Sequence, residues 1–263
     1  MLGSGSGGNA SLLTHRDAHV LIDAGLSCRD VCRRLEAVGV DPAALRGIVI
    51  THAHGDHTRG ARLLSQRYEL PVYSTAATRR EWQLDGLADW RELVPPRPVD
   101  LCGMRFRPCV VPHDASETVA FHIDTPAGAV GYATDIGVMT AELAALFNDC
   151  RLLVIESNHA VDLLRVSPYD AATRSRIAGE GGHLSNEALA EFIRGDLGPD
   201  VRCIVLMHLS RVNNVPALAE LTAREALEAS GRGDVQVVVT YQDRVAPAVD
   251  LETWAQHRLK EAV

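Results

Sequence analysis

The chain has 263 residues, 46% of them hydrophobic and 23% charged, a balance that suits a folded α/β protein and excludes disordered, collagen-like and disulfide-scaffold chains. No apolar run reaches the roughly 20 residues of a membrane-spanning helix, no signal-like segment opens the chain, and six cysteines without CxxC spacing suit a reduced, cytoplasmic protein. A net charge of −8, with Lys260 the one lysine among basic residues that are otherwise arginine, gives no global attraction for polyanions, so any nucleic-acid site must be a local patch.

Residues 3–8 read GSGSGG, either a flexible tail or a tight loop whose bare backbone lies close to a metal or phosphate. Periodicity then predicts a strand over 19–23, a helix over 29–38, a strand over 48–51, and helices over 58–66 and 76–84. Three strands over 104–111, 119–123 and 129–133 follow with no helix between them. A helix over 141–147 and a strand over 152–156 come next. Ser185 as cap and Gly195 as stop bound a helix over 186–194. A strand over 204–207, a helix over 216–229 and a strand over 235–240 complete the pattern. Strand runs interleaved with helices suggest a layered α/β sandwich. With no repeat or long linker, a single domain over 1–263 is expected.

The chemistry concentrates in Thr-His-Ala-His-Gly-Asp-His at 51–57, directly after the apolar run 48–50. His52, His54, Asp56 and His57 are all metal-ligand types. A strand end lets such side chains converge on one point, and imidazole with carboxylate suits zinc, manganese or iron at neutral pH. His113 and His208 each follow an apolar strand as His52 does, a common placement that puts all three at one sheet edge.

Along nearly its whole length the sequence resembles the metallo-β-lactamase fold superfamily, whose central motif is HxHxDH. Asp23 in LIDAG resembles the strand-end aspartate that supports the metal ligands. His113 in VPHDA, Asp135 in YATDIG and His208 in LMHLS resemble the later motifs in the expected order. The resemblance implies a four-layer αββα sandwich and two divalent ions. One would be held by His52, His54 and His113, the other by Asp56, His57 and His208, with Asp135 bridging. Two such ions polarise a substrate oxygen and activate water, which suits hydrolysis of phosphodiesters, thioesters, lactones or lactams.

Glu156, ending the strand over 152–156, and His183 in GHLSN resemble the pair that protonates the leaving alcohol in RNase Z-like nucleases. The stretch between Asp135 and His208 is too short for an inserted β-CASP domain, and that between His113 and Asp135 too short for the tRNA-gripping arm of RNase Z. LIDAGLSC, GHLSNEAL and HLSRVNN are instead similar to the compact YycJ/WalJ-type branch, described as DNA exonucleases. SGSGGN at 4–9 resembles that branch's glycine loop, which favours the tight-loop reading. Residues 168–177 resemble its basic loop, making Arg174 and Arg176 candidates for gripping substrate phosphates. Ala53 stands where the branch commonly has Glu.

The expected function is therefore a dinuclear-metal phosphodiesterase acting on DNA, with Asp56, Glu156 and His183 catalytic and zinc the first choice of metal. A small-molecule hydrolase of the same fold, acting on a cyclic phosphodiester, thioester or lactone, is the alternative. A catalytically silent nucleic-acid or partner-binding member is the third. Cys28 and Cys32, one helical turn apart, are expected to be structural, because the His/Asp set already fills two coordination spheres.

Overall fold

β1 (Ser11–His15) and β2 (Ala18–Ile22) form an antiparallel hairpin in register from Ser11↔Ile22 to His15↔Ala18. Its turn holds Arg16 at φ 53°, where glycine is the usual choice in a two-residue hairpin loop. β1 therefore carries no turn signal in the sequence and was not expected. The computed structural model describes residues 1–82 and 86–252; Leu84, the expected end of the helix over 76–84, lies outside them.

β2 pairs in parallel with β3 (Leu45–Val49), and β4 (Pro71–Ser74) and β5 (Asp89–Glu92) extend the same sheet in the order β1-β2-β3-β4-β5. The second sheet is built from β6 (Val99–Leu101), β7 (Met104–Val111), β8 (Thr118–Thr125), β9 (Gly128–Ala133), β10 (Cys150–Glu156), β11 (Cys203–Met207) and β12 (Gln236–Val239). Its order is β12-β11-β10-β9-β8-β7-β6, antiparallel from β6 to β9 and parallel from β9 to β12. β4, β5 and β6 have three or four residues each, and β5 reads Asp-Trp-Arg-Glu. β5 and β6 are edge strands, and β4, although interior, is only four residues long; runs this short give no period-2 apolar signal.

Alternation along the strands makes three apolar layers. Between the sheets, Val20, Ile22, Val49 and Tyr73 meet Phe106, Phe121, Tyr132, Val154 and Val205. Leu21, Ile48 and Val72 point the other way, onto Val31 and Leu35 of α1 (Cys28–Ala37) and Leu64 of α3 (Ala61–Tyr68), with α2 (Gly55–Thr58) between those helices in the chain. α4 (Ala76–Glu81) follows β4. On the outer face of the second sheet, Leu153, Ile155, Ile204 and Leu206 pack with residues of α5 (Ala141–Leu146), α8 (Asn186–Gly195) and α9 (Pro216–Ala229). This is the expected αββα sandwich.

Two local expectations are corrected. The single helix over 58–66 is two helices, α2 and α3, broken at Arg59–Gly60. Gly60 N donates to Ala24 O at 2.7 Å, and a Cβ there would stand 2.3 Å from Leu26 O. The basic loop over 168–177 is largely helix, α7 (Ala171–Ala178), capped by Asp170 Oδ1 accepting from Thr173 N at 2.7 Å; α6 (Val161–Arg165) precedes it. Ile177 is the one buried residue of α7, too little apolar content for a periodic signal.

Candidate metal centre

Pairing directions decide what meets at the sheet edge. β7, β9, β10 and β11 run the same way, so the residues following their C-terminal ends gather along one edge. These are His113, Asp135, Glu156 and His208. β2 and β3 deliver Asp23 and the HxHxDH segment from the other sheet. Asp23, Asp135 and His208 leave their strands with φ 60°, 53° and 53°. That left-handed conformation costs a side-chain-bearing residue roughly 1–3 kcal/mol and concentrates at functional sites. Here it turns each side chain back toward the cluster.

Each ring is held by Nδ1. His57 Nδ1 donates to Asp23 Oδ2 at 2.8 Å, His113 Nδ1 to Gly182 O at 3.0 Å, and His208 Nδ1 to Glu156 Oε1 at 2.8 Å. Thr51 Oγ1 donates to Asp23 Oδ2 at 2.9 Å and accepts from His52 Nδ1 at 3.0 Å. These bonds occupy Nδ1 and turn Nε2 of all four rings toward the cluster, the arrangement typical of metal-binding histidines. His54 Nδ1 lies 3.4 Å from His113 Nε2.

Four ligand sets at this edge have their donor atoms within 4.8 Å of one another: His52, His54 and His113; Asp56, His57 and His208; His52, His57 and Asp135; and Asp135, Glu156, His183 and His208. The third set joins the first two. His52 Nε2 and His208 Nε2 are buried without a hydrogen-bond partner, a condition that costs roughly 1–3 kcal/mol per group unless a cation completes it. The donor set and these two orphaned nitrogens fit divalent metal ions.

Electrostatics agrees. Burial would drive the His57 and His208 rings neutral, but the Asp135 carboxylate and its neighbours prevail, raising His57 well above the usual imidazole value and His208 to about 10. Burial also opposes ionisation of Asp135, yet His208 and His57 hold it well below the usual carboxylate range. His52 goes the other way, pushed well below its ordinary value by burial and by His57. A carboxylate-rich nest of this kind takes up positive charge, as protons or as metal.

Glu156 is the hub on the second-sheet side and is fully buried. Its Oε1 accepts from both His183 Nδ1 and His208 Nδ1 at 2.8 Å, and its Oε2 accepts from Ile136 N at 2.9 Å and Leu184 N at 3.2 Å. Against the upward push of burial, His183 and these bonds hold its carboxyl down to about 2. Burial lowers His183, but the Glu156 charge outweighs it and the ring's pKa is raised. The expected Glu156–His183 pair is thus brought together, and Glu156 holds His208 as well.

The two arginines are placed differently. Arg174 Nη1 donates to Ser167 O at 3.2 Å and Tyr169 O at 2.8 Å, so it ties the turn before α7. Arg176 is half exposed and pairs with Asp114, whose other oxygen lies 3.2 Å from His113 Nε2.

Several site residues were not singled out from the sequence. Asn9, in the glycine loop, is fully buried, with Nδ2 at 3.0 Å from His57 Nε2 and 3.4 Å from Asp56 Oδ2. The loop does lie against the site, as the tight-loop reading expected. Asp114 follows His113 directly, and that adjacency was the available signal. Asn158, Asn186 and Asn214 join the loops around Glu156, His183 and His208; they lie inside or beside the strings ESNH, HLSN and HLSRVNN, but amide residues carry no chemistry that marks them. Cys28 and Cys32 sit on α1, where Cys32 Sγ lies 3.3 Å from Tyr68 Oη. A separate grouping of His122, Asp149 and Cys150 has Arg107 Nη2 at 2.9 Å from His122 Nδ1, a cation already in place.

Comparison with known proteins gives one direction. The family model described as metallo-beta-lactamase superfamily matches residues 3–170. The exodeoxyribonuclease YycJ of Bacillus anthracis is 29% identical over 237 residues, 89% of this chain and 90% of that protein. The exodeoxyribonuclease WalJ of Streptococcus pneumoniae is 29% identical over 263 residues, 95% of this chain and 97% of that protein. Among solved structures, the metallo-beta-lactamase fold protein YhfI from Bacillus subtilis superposes with a TM-score of 0.71 at 17% identity, covering 92% of this chain and 94% of its own, a likeness of fold.

Proposed function

The chain belongs to the metallo-beta-lactamase superfamily, and from that premise we propose that it is a two-metal hydrolase that degrades DNA as an exonuclease. His52, His54 and His113 would hold one divalent ion and Asp56, His57 and His208 the other, with Asp135 between them and Asp23 behind His57. A donor set dominated by imidazole favours zinc, and manganese and iron accept the same groups. Ions held there supply electrophilic activation of a phosphoryl group and of the attacking water.

The observation that carries a phosphodiester reading is the Glu156 Oε1 bridge between His183 and His208. One carboxylate oxygen orients the ring of His208 and the ring of His183 beside it, whose Nδ1 the bond occupies. With Nδ1 engaged, protonated His183 donates from Nε2 to the departing sugar oxygen, and Glu156 stabilises the imidazolium. An alkoxide leaving group needs that proton; a strained lactam or lactone ring needs it much less. Asp56, with Oδ2 at 3.5 Å from His208 Nε2 and 3.6 Å from His57 Nε2, orients the attacking water as well as ligating. The YycJ and WalJ relatives, named as exodeoxyribonucleases, support DNA as the polymer and attack from an end. No helix among the described residues is long and apolar enough to cross a membrane. All six cysteines are free, which supports a reducing cytoplasm.

The test is degradation of end-labelled DNA and RNA beside a generic phosphodiester and a lactone, before and after chelation. DNA degradation that chelation abolishes and zinc or manganese restores is expected. Lactone or thioester hydrolysis without oligonucleotide cleavage would overturn the reading in favour of a small-molecule hydrolase. His183→Ala is expected to cut DNA degradation roughly 10²–10⁴-fold with metal content intact. The loss should shrink on a nitrophenyl phosphodiester, whose leaving group departs without protonation. Equal losses on both substrates would assign His183 a positioning role instead.

A further inference from the structure

On the β12 side of His208 lies a second concavity of about 230 Å³, separate from the metal cluster. Its walls come from the segment after β11 (Leu209, Ser210, Arg211), the segment after β12 (Tyr241, Gln242, Asp243) and Ser4 of the glycine loop. β11 and β12 run parallel, so both segments emerge at the edge where the site residues gather. Ser4 Oγ accepts from His208 N at 2.7 Å. Gln242 accepts from Gly7 N at 2.6 Å and donates to Gly8 O at 2.9 Å, fixing the loop that also brings Asn9 to His57. Ser4, which lines the cavity and accepts from His208 N, and the glycine loop therefore stand between cavity and cluster.

The lining specifies the ligand chemistry. The volume is below the roughly 300–1,000 Å³ of sites for drug-sized molecules, room for one planar heterocycle and not for a base pair. Arg211 supplies positive charge at one point, but Asp243 puts a carboxylate in the same wall, which repels phosphate and accepts from an exocyclic amino group. Tyr241 adds an aromatic surface. The Arg244 guanidinium covers one face of its ring at 3.6 Å from the centroid, which leaves the other face for a second flat group. A ring braced in this way is a preorganised stacking platform.

We propose that this cavity receives the nucleobase adjoining the scissile phosphate, stacked on Tyr241, and so selects strand ends whose terminal base is unpaired. The proposal rests on the DNA-degrading reading above. A base inside a duplex cannot enter without being unstacked and unpaired, which costs least at a frayed or single-stranded end.

The experiment uses the metal-loaded protein and fluorescent single-stranded oligonucleotides with non-hydrolysable terminal linkages, ending either in a normal base or in an abasic sugar. One series varies the 5′ end and one the 3′ end, in DNA and RNA versions. Wild type is expected to bind the base-terminated strand roughly 5- to 150-fold more tightly than the abasic one, the range of base–aromatic stacking. Tyr241→Ala should abolish that difference, whereas Tyr241→Phe should keep it. Persistence of the difference in a folded Tyr241→Ala protein, or its absence in a wild type that cleaves DNA, overturns the subsite. The wild-type comparison stands alone if Tyr241→Ala fails to fold. If wild type neither binds nor cleaves any oligonucleotide, the functional reading itself fails and the subsite falls with it. Cleavage assays run in parallel tell the two failures apart.

Discussion

Around the loop carrying His52, His54, Asp56 and His57, main chains lean directly on one another, whereas the loops carrying Glu156, His183 and His208 are joined by a set of side-chain amides in addition to main-chain bonds such as Asn158 N to Leu184 O at 2.8 Å. Asp56 O accepts from Asn9 N at 2.7 Å, and His57 O from Ala24 N at 2.8 Å. A Cβ on Gly25 would stand 1.5 Å from Asp56 O, so no side chain fits there. On the other flank, Asn158 Nδ2 donates to His208 O at 2.8 Å, Asn186 Nδ2 to Asn214 Oδ1 at 2.9 Å, and Asn214 Nδ2 to Ser157 O at 2.9 Å. The difference follows from chain connectivity. Four ligand-type residues from one short loop need only that loop to be held, and backbone contact holds it. Residues arriving from two strand ends and an inter-helix loop need those segments cross-linked to one another.

This contrast is broken most severely at Gly25. Gly25→Ala places a methyl group inside a backbone carbonyl, so the loop must move or the fold must open. A loss of roughly 4 kcal/mol or more is expected, read by denaturant unfolding, together with loss of metal. Wild-type stability and metal content in Gly25→Ala would show that the loop does not depend on that contact. Asp135→Ala comes next. It removes the carboxylate that the proposed function sets between the two ligand trios and should abolish metal occupancy and activity together, because two like-charged ions held there would lose the anion between them. Normal metal content by elemental analysis with normal turnover would take Asp135 out of the site.

Legibility in the sequence divides along the same line. HxHxDH was readable because its ligand types are contiguous and follow an apolar run. His113 and His208 stand alone in sequence but follow an apolar strand as His52 does, whereas Asp135, Glu156 and His183 were picked out by resemblance; parallel pairing of β9, β10 and β11 then brings Asp135, Glu156 and His208 to one edge. The long apolar strands and the helix Pro216–Ala229 were legible from periodicity. The hairpin strand β1 was hidden by a turn without glycine, and β4 to β6 by their length. Asn9 and the three loop asparagines were hidden because an amide's role depends on the partner it reaches, which spacing does not encode.

Asn214→Ala sharpens the comparison on the amide side. Asn214 also donates to Asn158 O at 3.0 Å and accepts from Val215 N at 2.9 Å, so truncation leaves several buried groups without partners. A stability loss of roughly 1–3 kcal/mol is expected. The trio Asp56, His57 and His208 keeps its donors, so metal content should hold. Turnover should fall roughly 10- to 100-fold, the effect of a displacement near 1 Å of a group such as His183. Metal loss as deep as in Gly25→Ala would show that the amide links hold the proposed ligands and not only Glu156 and His183.

The smallest effect separates Arg174 from Arg176. Arg174 is committed to two backbone carbonyls, and a guanidinium so engaged is not free for phosphate. Arg174→Gln should therefore lower stability by about 1 kcal/mol and leave the salt dependence of DNA binding unchanged. Arg176 pairs with Asp114 at a half-exposed position beside His113, and an exposed pair of that kind contributes roughly 0–1 kcal/mol. A phosphate reaching the metals can displace Asp114 at little cost, because the arginine exchanges one oxyanion for another. Arg176→Gln should then weaken DNA binding across sequences and reduce the slope of log affinity against log salt by about 1, with stability nearly unchanged. An unchanged slope would confine Arg176 to neutralising Asp114 beside the histidines.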